Sequence, residues 1–232
     1  MRGVVLAGGS GSRLLPLTRT VNKHLLPVGG QAMIDHPVAS LVAAGIDDIL
    51  VVTGVEHFGA LVQHLGSGAR YGCDFTYKVQ DEPLGIAHAL GLARDFARGG
   101  PVCVVLGDNL FSAELGPLVG AWDGRGARVH LARVPRPERF GVPRFEGDEI
   151  VEIVEKPETA PSPFAVTGLY LYDASVYDIV DGLQPSGRGE YEITDVNNHY
   201  LGRGALSWAE LPGWWTDAGT HASYARAQEL VR

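Results

Sequence analysis

Residues 8–13, Gly8-Gly9-Ser10-Gly11-Ser12-Arg13, put three glycines, two serines and an arginine at the end of an apolar run. A loop of that composition exposes backbone N–H groups that no large side chain obstructs, and so makes a cradle for phosphate oxygens. Arg13 adds a fork of donors suited to phosphate. Lys23 follows, and Asp108 and Asp217 stand in expected loops, while Glu155-Lys156 closes an expected strand. Two carboxylates without neighbouring His or Cys ligands suit a hard cation such as Mg²⁺, which takes oxygen ligands and substrate phosphates. A glycine loop, cations and Mg²⁺ are the parts of phosphoryl or nucleotidyl transfer, a chemistry of positioning and charge neutralisation. Each residue alone has an ordinary explanation: Asp108 as a helix cap, Asp217 as a turn aspartate, Glu155-Lys156 as a solvated strand end. The combination is what points to a site.

The scaffold that must position these residues is legible as alternation. Residues 3–7, 48–53 and 101–106 are short apolar runs rich in β-branched residues, the pattern of strands buried on both faces. Helical spacing appears over residues 33–44, 56–65 and 85–98, and residues 75–80 make a further strand. Strands alternating with helices predict a Rossmann-like, doubly wound, mostly parallel α/β sheet. Ligands in such sheets bind beyond the carboxyl ends of the strands, where both the glycine loop and Asp108 fall. From residue 127 the texture changes to short strands at 129–134, 142–145 and 150–155, which predict an inserted antiparallel part. A strand at 165–172, a helix at 175–183, a segment at 190–195 leading into a helix that ends near residue 202, a strand at 206–211, a loop at 213–220 and a helix at 221–231 complete the chain. One domain over residues 1–232 is expected, with a first part over about 1–125 and a second over about 126–232.

Composition narrows the classes. The loop lacks the Lys-Ser or Lys-Thr of a P-loop, and Leu14 stands where a dinucleotide fingerprint wants a small residue. A net charge of −8 argues against a nucleic-acid partner, though a few placed cations still set a local field for small anions. Only three lysines (Lys23, Lys78, Lys156) accompany sixteen arginines, consistent with lysine kept where a compact point charge is wanted. No apolar run approaches a membrane span and the first residues enter a strand at once, so a cytoplasmic protein with no membrane partner is expected. Cys73 and Cys103 are expected to be buried thiols.

The ordered motifs carry a resemblance. Leu6-Ala7-Gly8-Gly9-Ser10-Gly11-Ser12-Arg13-Leu14, Lys23-His24-Leu25-Leu26-Pro27-Val28, Gly107-Asp108-Asn109, Glu155-Lys156-Pro157, Val166-Thr167-Gly168-Leu169-Tyr170, Arg188-Gly189-Glu190, Glu192-Ile193-Thr194-Asp195 and Trp215-Thr216-Asp217-Ala218-Gly219-Thr220 span the chain. Together they resemble the sugar nucleotidylyltransferases of the glucose-1-phosphate thymidylyltransferase type. The resemblance implies that dTTP or UTP and a sugar 1-phosphate, most simply glucose 1-phosphate, are joined into a nucleotide sugar with release of pyrophosphate. It implies that Leu6, Gly8, Gly9, Gly11 and Arg13 hold the nucleotide with Lys23 beside them, and that Gln80 and Gly85 read the pyrimidine edge. It implies that Asp108 and Asp217 hold Mg²⁺, that Lys156 and Arg188 grip the sugar phosphate, and that Asn109, Gly141, Glu155 and Thr167 line the sugar pocket. Arg13, Lys23, Asp108, Lys156 and Asp217 are the implied catalytic set.

Three departures bear on these expectations. His24 replaces the Gln common after the lysine, and Phe140 stands where a tyrosine is common. The sequence also stops where long, feedback-regulated members continue, so it resembles the short form, with inhibition expected by competition at the active site only. Use of UTP or another triphosphate with an unusual sugar 1-phosphate is the same-class alternative; a catalytically silent nucleotide-sugar-binding homologue is the other. A homo-oligomer is left open.

Overall fold

A computed structural model describes residues 1–231. Thirteen strands and eight α-helices are described. The strands are β1 (Arg2–Ala7), β2 (Pro27–Val28), β3 (Gln31–Ala32), β4 (Asp48–Gly54), β5 (Asp74–Gln80), β6 (Val102–Leu106), β7 (Asn109–Phe111), β8 (Ala127–Arg133), β9 (Gly141–Glu146), β10 (Glu149–Glu155), β11 (Phe164–Tyr172), β12 (Leu206–Glu210) and β13 (Trp215–Asp217). The helices are α1 (Asp35–Ala43), α2 (Phe58–Leu65), α3 (Ile86–Gly91), α4 (Arg94–Ala97), α5 (Leu115–Gly120), α6 (Val176–Gly182), α7 (Ile193–Gly202) and α8 (His221–Leu230).

Seven strands form one sheet in the order β12-β8-β11-β6-β1-β4-β5. The pairs β1–β4, β1–β6, β4–β5 and β12–β8 are parallel, whereas β11 runs antiparallel to both β6 and β8. The expected mostly parallel sheet is therefore present, with β11 the one reversed strand. Both faces are covered. Val4, Leu6, Leu50, Val52 and Val104 pack into one hydrophobic layer, and Val5, Ile49, Val51, Cys103 and Val105 into the other. With apolar side chains required on both sides, the pleat gives an uninterrupted apolar run. Both cysteines are free and buried, as expected.

The expected antiparallel insertion is smaller than its sequence texture. Residues 127–133 and 164–172 belong to the main sheet as β8 and β11; only the β9–β10 hairpin stands apart. Short strands with turns between them look alike in sequence whether they pair locally or across the chain. The helix expected over residues 85–98 is two pieces, α3 and α4. A Cβ on Gly91 would lie 3.0 Å from Val180 of α6, so a close helix crossing occupies the point where the helix ends. After Asn22 the chain makes a 3₁₀ turn, Lys23–Leu25. The loop expected at 213–220 contains β13, which pairs antiparallel with β7. The last helix spans His221–Leu230, and Arg232 lies outside the described residues.

A third, smaller apolar cluster ties the functional elements together. Leu14, Leu26, Val28, Met33, Leu110, Ala218 and Ala227 pack beneath the glycine loop, β7 and α8. Leu14, the residue that spoils a dinucleotide fingerprint, is fully buried there and anchors the 3₁₀ turn that carries Arg13. Helix α8 starts on a capping box in which Ser223 N–H donates to Thr220 Oγ1 at 3.3 Å and Thr220 N–H donates to Ser223 Oγ at 3.1 Å. That arrangement satisfies two otherwise orphaned donors and fixes the chain just after Asp217.

Candidate active site

One cleft of about 360 Å³ opens at the carboxyl ends of the central strands, walled by the glycine loop on one side and by β9, β10 and the Arg188–Thr194 segment on the other. At its nucleotide-loop end the backbone turns through Gly9 and Gly11, both at positive φ (95° and 65°), where a non-glycine residue is strained. Thr18 Oγ1 donates to Gly11 O at 2.7 Å and closes the loop on itself. A Cβ on Gly9 would lie 3.8 Å from Lys23 Nζ, so the lysine reaches across the loop.

Pairing of two three-residue strands brings the aspartates together. In the β7–β13 ribbon Asn109 faces Asp217, and Ala218 N–H donates to Asp108 O at 2.8 Å. Asp108 Oδ2 meets Lys23 Nζ at 2.5 Å, and Asp108 Oδ1 accepts from Asn109 Nδ2 at 3.0 Å. Asp217 Oδ2 lies 3.4 Å from an Arg139 guanidinium nitrogen. A Cβ built on Gly219 would stand 3.4 Å from Asp217 Oδ2, 3.5 Å from Asp108 Oδ2 and 3.6 Å from an Arg13 nitrogen, so the three groups surround one point.

The two carboxyls titrate in opposite directions. Burial alone would raise Asp108, but Lys23, His24 and the Asn109 amide outweigh it and hold the carboxyl far below its usual range. Asp217 is pushed up to about 6, first by burial and then by the Asp108 charge, with Arg139, Arg13 and Lys23 pulling the other way. A carboxylate strained by its neighbour's charge is relieved by a cation placed between them. The pair thus suits a hard divalent ion that keeps several positions for water and phosphate oxygens. Among the described residues no group of three or more His, Cys, Asp or Glu side chains gathers as a full ligand set.

Beside them His24 is fully buried, its Nδ1–H donating to Asn22 Oδ1 at 2.8 Å, and burial together with Lys23 lowers it to about 3. It is a neutral wedge against Gly107, where a Cβ would lie 2.9 Å from its ring.

Asn109 is the strut between the two ends. Its Oδ1 accepts from Gly168 N–H at 2.9 Å and from Trp215 Nε1–H at 2.8 Å. A Cβ on Gly168 would lie 2.5 Å from that oxygen, which accounts for glycine at the irregularity in β11. Phe140 packs edge-on against Trp215 with ring centroids 5.2 Å apart, so the ring found in place of a tyrosine fills the wall of the cleft.

The opposite end holds a cation–carboxylate network. Arg188 donates to Glu192 Oε1 at 2.8 Å and Glu155 Oε1 at 3.1 Å, and lies 3.7 Å from Glu190. Lys156 Nζ lies 3.3 Å from Glu155 Oε1, and Thr194 Oγ1 donates to Glu155 Oε2 at 2.6 Å. Lys156 takes φ 43°, unusual for a non-glycine residue, and its N–H donates to Phe140 O at 2.9 Å. That backbone kink turns its side chain off the end of β10.

Most of the expected site residues line this one cleft: Leu6, Gly8, Gly9, Arg13, Lys23, Gln80, Gly85, Asp108, Asn109, Gly141, Glu155, Lys156, Arg188 and Asp217. Gly11 shapes the loop from behind. Thr167 does not line it; its hydroxyl donates to His130 O at 2.9 Å, and its neighbours Val166 and Gly168 face the cleft. Arg139, Thr194 and Trp215 were not among the expected site residues; for Arg139 the available signal was Phe140 beside it.

The cleft thus presents cations at both ends, Arg13 and Lys23 at one and Lys156 and Arg188 at the other. A family model described as nucleotidyl transferase matches residues 2–232. The chain belongs to this family and is a nucleotidyltransferase of the glucose-1-phosphate thymidylyltransferase type. It is 45% identical over 237 residues to a glucose-1-phosphate thymidylyltransferase of Xanthomonas campestris pv. campestris, covering 99% of this chain and 80% of that protein. It is 40% identical to the enzyme of the same name from Mycobacterium tuberculosis, over 100% of this chain and 82% of that one. Among solved structures, a putative glucose-1-phosphate thymidylyltransferase from Bacillus anthracis, in complex with a sucrose, superposes with a TM-score of 0.96 at 52% identity, covering 100% of this chain and 95% of the other.

Proposed function

We propose that this enzyme transfers the thymidylyl group of dTTP to glucose 1-phosphate, giving dTDP-glucose and pyrophosphate. The observation that carries the reading is the convergence of Arg13, Lys23, Asp108 and Asp217 at one end of a cleft whose other end presents Lys156 and Arg188. The names of the similar enzymes support the choice of substrates.

In this reading the glycine-loop N–H groups and Arg13 hold the triphosphate, with Lys23 beside the α-phosphate. Lys156 and Arg188 hold the sugar phosphate, and Glu155 and Asn109 orient the sugar. Asp108 and Asp217 would hold Mg²⁺, which when bound would supply a Lewis acid for the reacting phosphate oxygens. An oxygen of the sugar phosphate attacks the α-phosphorus, the bond from that phosphorus to the bridging oxygen breaks, and pyrophosphate leaves. No general base is required, since a phosphate monoester is already anionic at pH 7. The rate comes from holding two mutually repelling anions in line and stabilising the charge on the leaving group.

The test is pyrophosphate release measured across a panel of nucleoside triphosphates and sugar 1-phosphates, with and without Mg²⁺. Efficient use of dTTP or UTP with glucose 1-phosphate is expected, with ATP and GTP poor. Efficient use of GTP, or full turnover after metal removal, would overturn the reading.

A further inference from the structure

Gln80 ends β5 on the wall of the cleft, and the orientation of its amide is set by its neighbours. Nε2 donates to Gly85 O at 3.1 Å and lies 2.9 Å from His88 Nδ1. A carbonyl oxygen can only accept, so the atom facing Gly85 O is the amide nitrogen. With Nε2–H the donor, His88 Nδ1 must be the acceptor, which puts the imidazole proton on Nε2. Both amide hydrogens are then used, and Oε1 is left turned toward Gly8, where a Cβ would lie 3.2 Å from it. Gly8 and Gln80 both line the cleft, and the Gln80 side chain is otherwise buried.

The segment that provides this arrangement is itself clamped. Tyr191 N–H donates to Leu84 O at 2.7 Å, and Ala87 N–H donates to Tyr191 O at 3.1 Å. A Cβ on Gly85, at φ 101°, would strike Tyr191 O at 2.6 Å. The His88 ring stacks on Tyr191 with centroids 6.2 Å apart and planes at 29°. Neither Gly85 nor the imidazole is free to drift from the amide.

We infer that His88 is a positioning residue for base selection: with Gly85 O it locks the Gln80 amide so that only an acceptor oxygen faces the nucleobase. Resting on the nucleotide-site reading above, this deepens it. A locked acceptor pairs with the N3–H of a thymine or uracil ring and opposes the N3 lone pair of cytosine. Without His88 the amide keeps one anchor and can turn to offer its nitrogen, so discrimination against cytosine falls while phosphate binding is untouched.

The experiment compares wild type with His88→Gln and His88→Met. Both substitutes fill a similar volume, but only glutamine offers an acceptor to Nε2. Binding of dTTP and dCTP in the presence of Mg²⁺ is measured by calorimetry, and kcat and KM by pyrophosphate release. For His88→Met, the dTTP-over-dCTP ratio of affinities is expected to fall about three- to tenfold, the size of one neutral hydrogen bond. The ratio is expected to recover in His88→Gln, with the KM for sugar phosphate unchanged in both. Loss of affinity for both nucleotides in equal proportion, or an unchanged ratio in His88→Met, would overturn the inference. A wild type that binds dTTP over dCTP in a His88-dependent way but releases no pyrophosphate would overturn the proposed reaction and leave this inference standing. A wild type that binds the two nucleotides equally would overturn the inference itself.

Discussion

The two ends of the cleft hold charge in different ways. At the triphosphate end Lys23, Asp108 and Asp217 are mostly shielded and are placed by backbone pairing or a turn, the two aspartates by the β7–β13 ribbon and Lys23 by a 3₁₀ turn, whereas Arg13 stands exposed at the mouth beside its buried neighbour Leu14. At the sugar-phosphate end the cations are half-exposed, and Arg188 faces Glu155, Glu190 and Glu192 at once. Fixed charge in a dry site needs no reorganisation at the moment of reaction and belongs to transition-state stabilisation. A mobile network must exchange its carboxylate partners for the incoming phosphate, so it governs how tightly that substrate binds. Losses at Lys23, Asp108 or Asp217 should therefore appear in kcat, and losses at exposed Arg13 or at the second end in the KM of the substrate each holds.

The largest effect is expected from Asp108→Asn, which keeps the shape but removes the charge that Lys23 and the cation need. We expect kcat to fall by about 10³-fold, with the circular dichroism of the folded protein retained. A loss confined to the KM of glucose 1-phosphate would break the contrast between the ends.

Next in size is the split between Lys156→Ala and Arg13→Ala. Removing one charge-assisted hydrogen bond costs about ten- to a hundredfold. That factor is expected in the KM for sugar phosphate in the first variant and for dTTP in the second. Equal effects on both substrates in each variant would mean the two ends are misassigned.

Arg139→Ala sharpens the comparison, since Arg139 is on the 3₁₀ turn Pro137–Arg139 before β9 yet pairs with Asp217. A part-exposed pair at 3.4 Å is worth little on its own, and a loss of about two- to fivefold in kcat is expected. An effect on sugar-phosphate KM alone would place this arginine with the opposite end.

His130 gives a pH-dependent test of stability. It lies fully buried in β8 beneath Thr167, with Nδ1–H donating to Leu169 O at 3.3 Å and Nε2 unpartnered. Burial lowers it to about 4, against the small upward pull of the Leu169 bond. Between about pH 6.5 and 4 the unfolded chain binds the extra proton and the folded one does not, so stability is full above that window and falls as pH drops through it. The full loss is about 3 kcal/mol. Denaturant unfolding of wild type and His130→Leu at pH 7 and pH 5 checks this; an equal pH dependence in both would show that His130 is not its source.

The sequence made the central strands legible because burial on both faces leaves apolar runs nothing can disguise, and the glycine loop because its composition is itself the geometry. Asp217 was legible as a residue but not as part of a strand, since three residues paired across the chain have no periodicity to show. Thr167 was assigned to the sugar pocket through the family motif, whereas alternation along β11 puts Val166, Gly168 and Tyr170 on the cleft side and turns the Thr167 hydroxyl to His130 O. Arg139 meets Asp217 across the chain, and no local pattern marked it.

The proposed reaction joins two substrates held together by the arrangement of charge, with no covalent nucleotidyl-enzyme on the way. Exchange of radiolabelled pyrophosphate into dTTP tests this most directly. No exchange is expected when the enzyme has dTTP and Mg²⁺ alone, and rapid exchange once dTDP-glucose or glucose 1-phosphate is added. Exchange without any sugar phosphate would show that a side chain of the protein takes the thymidylyl group, and would contradict it.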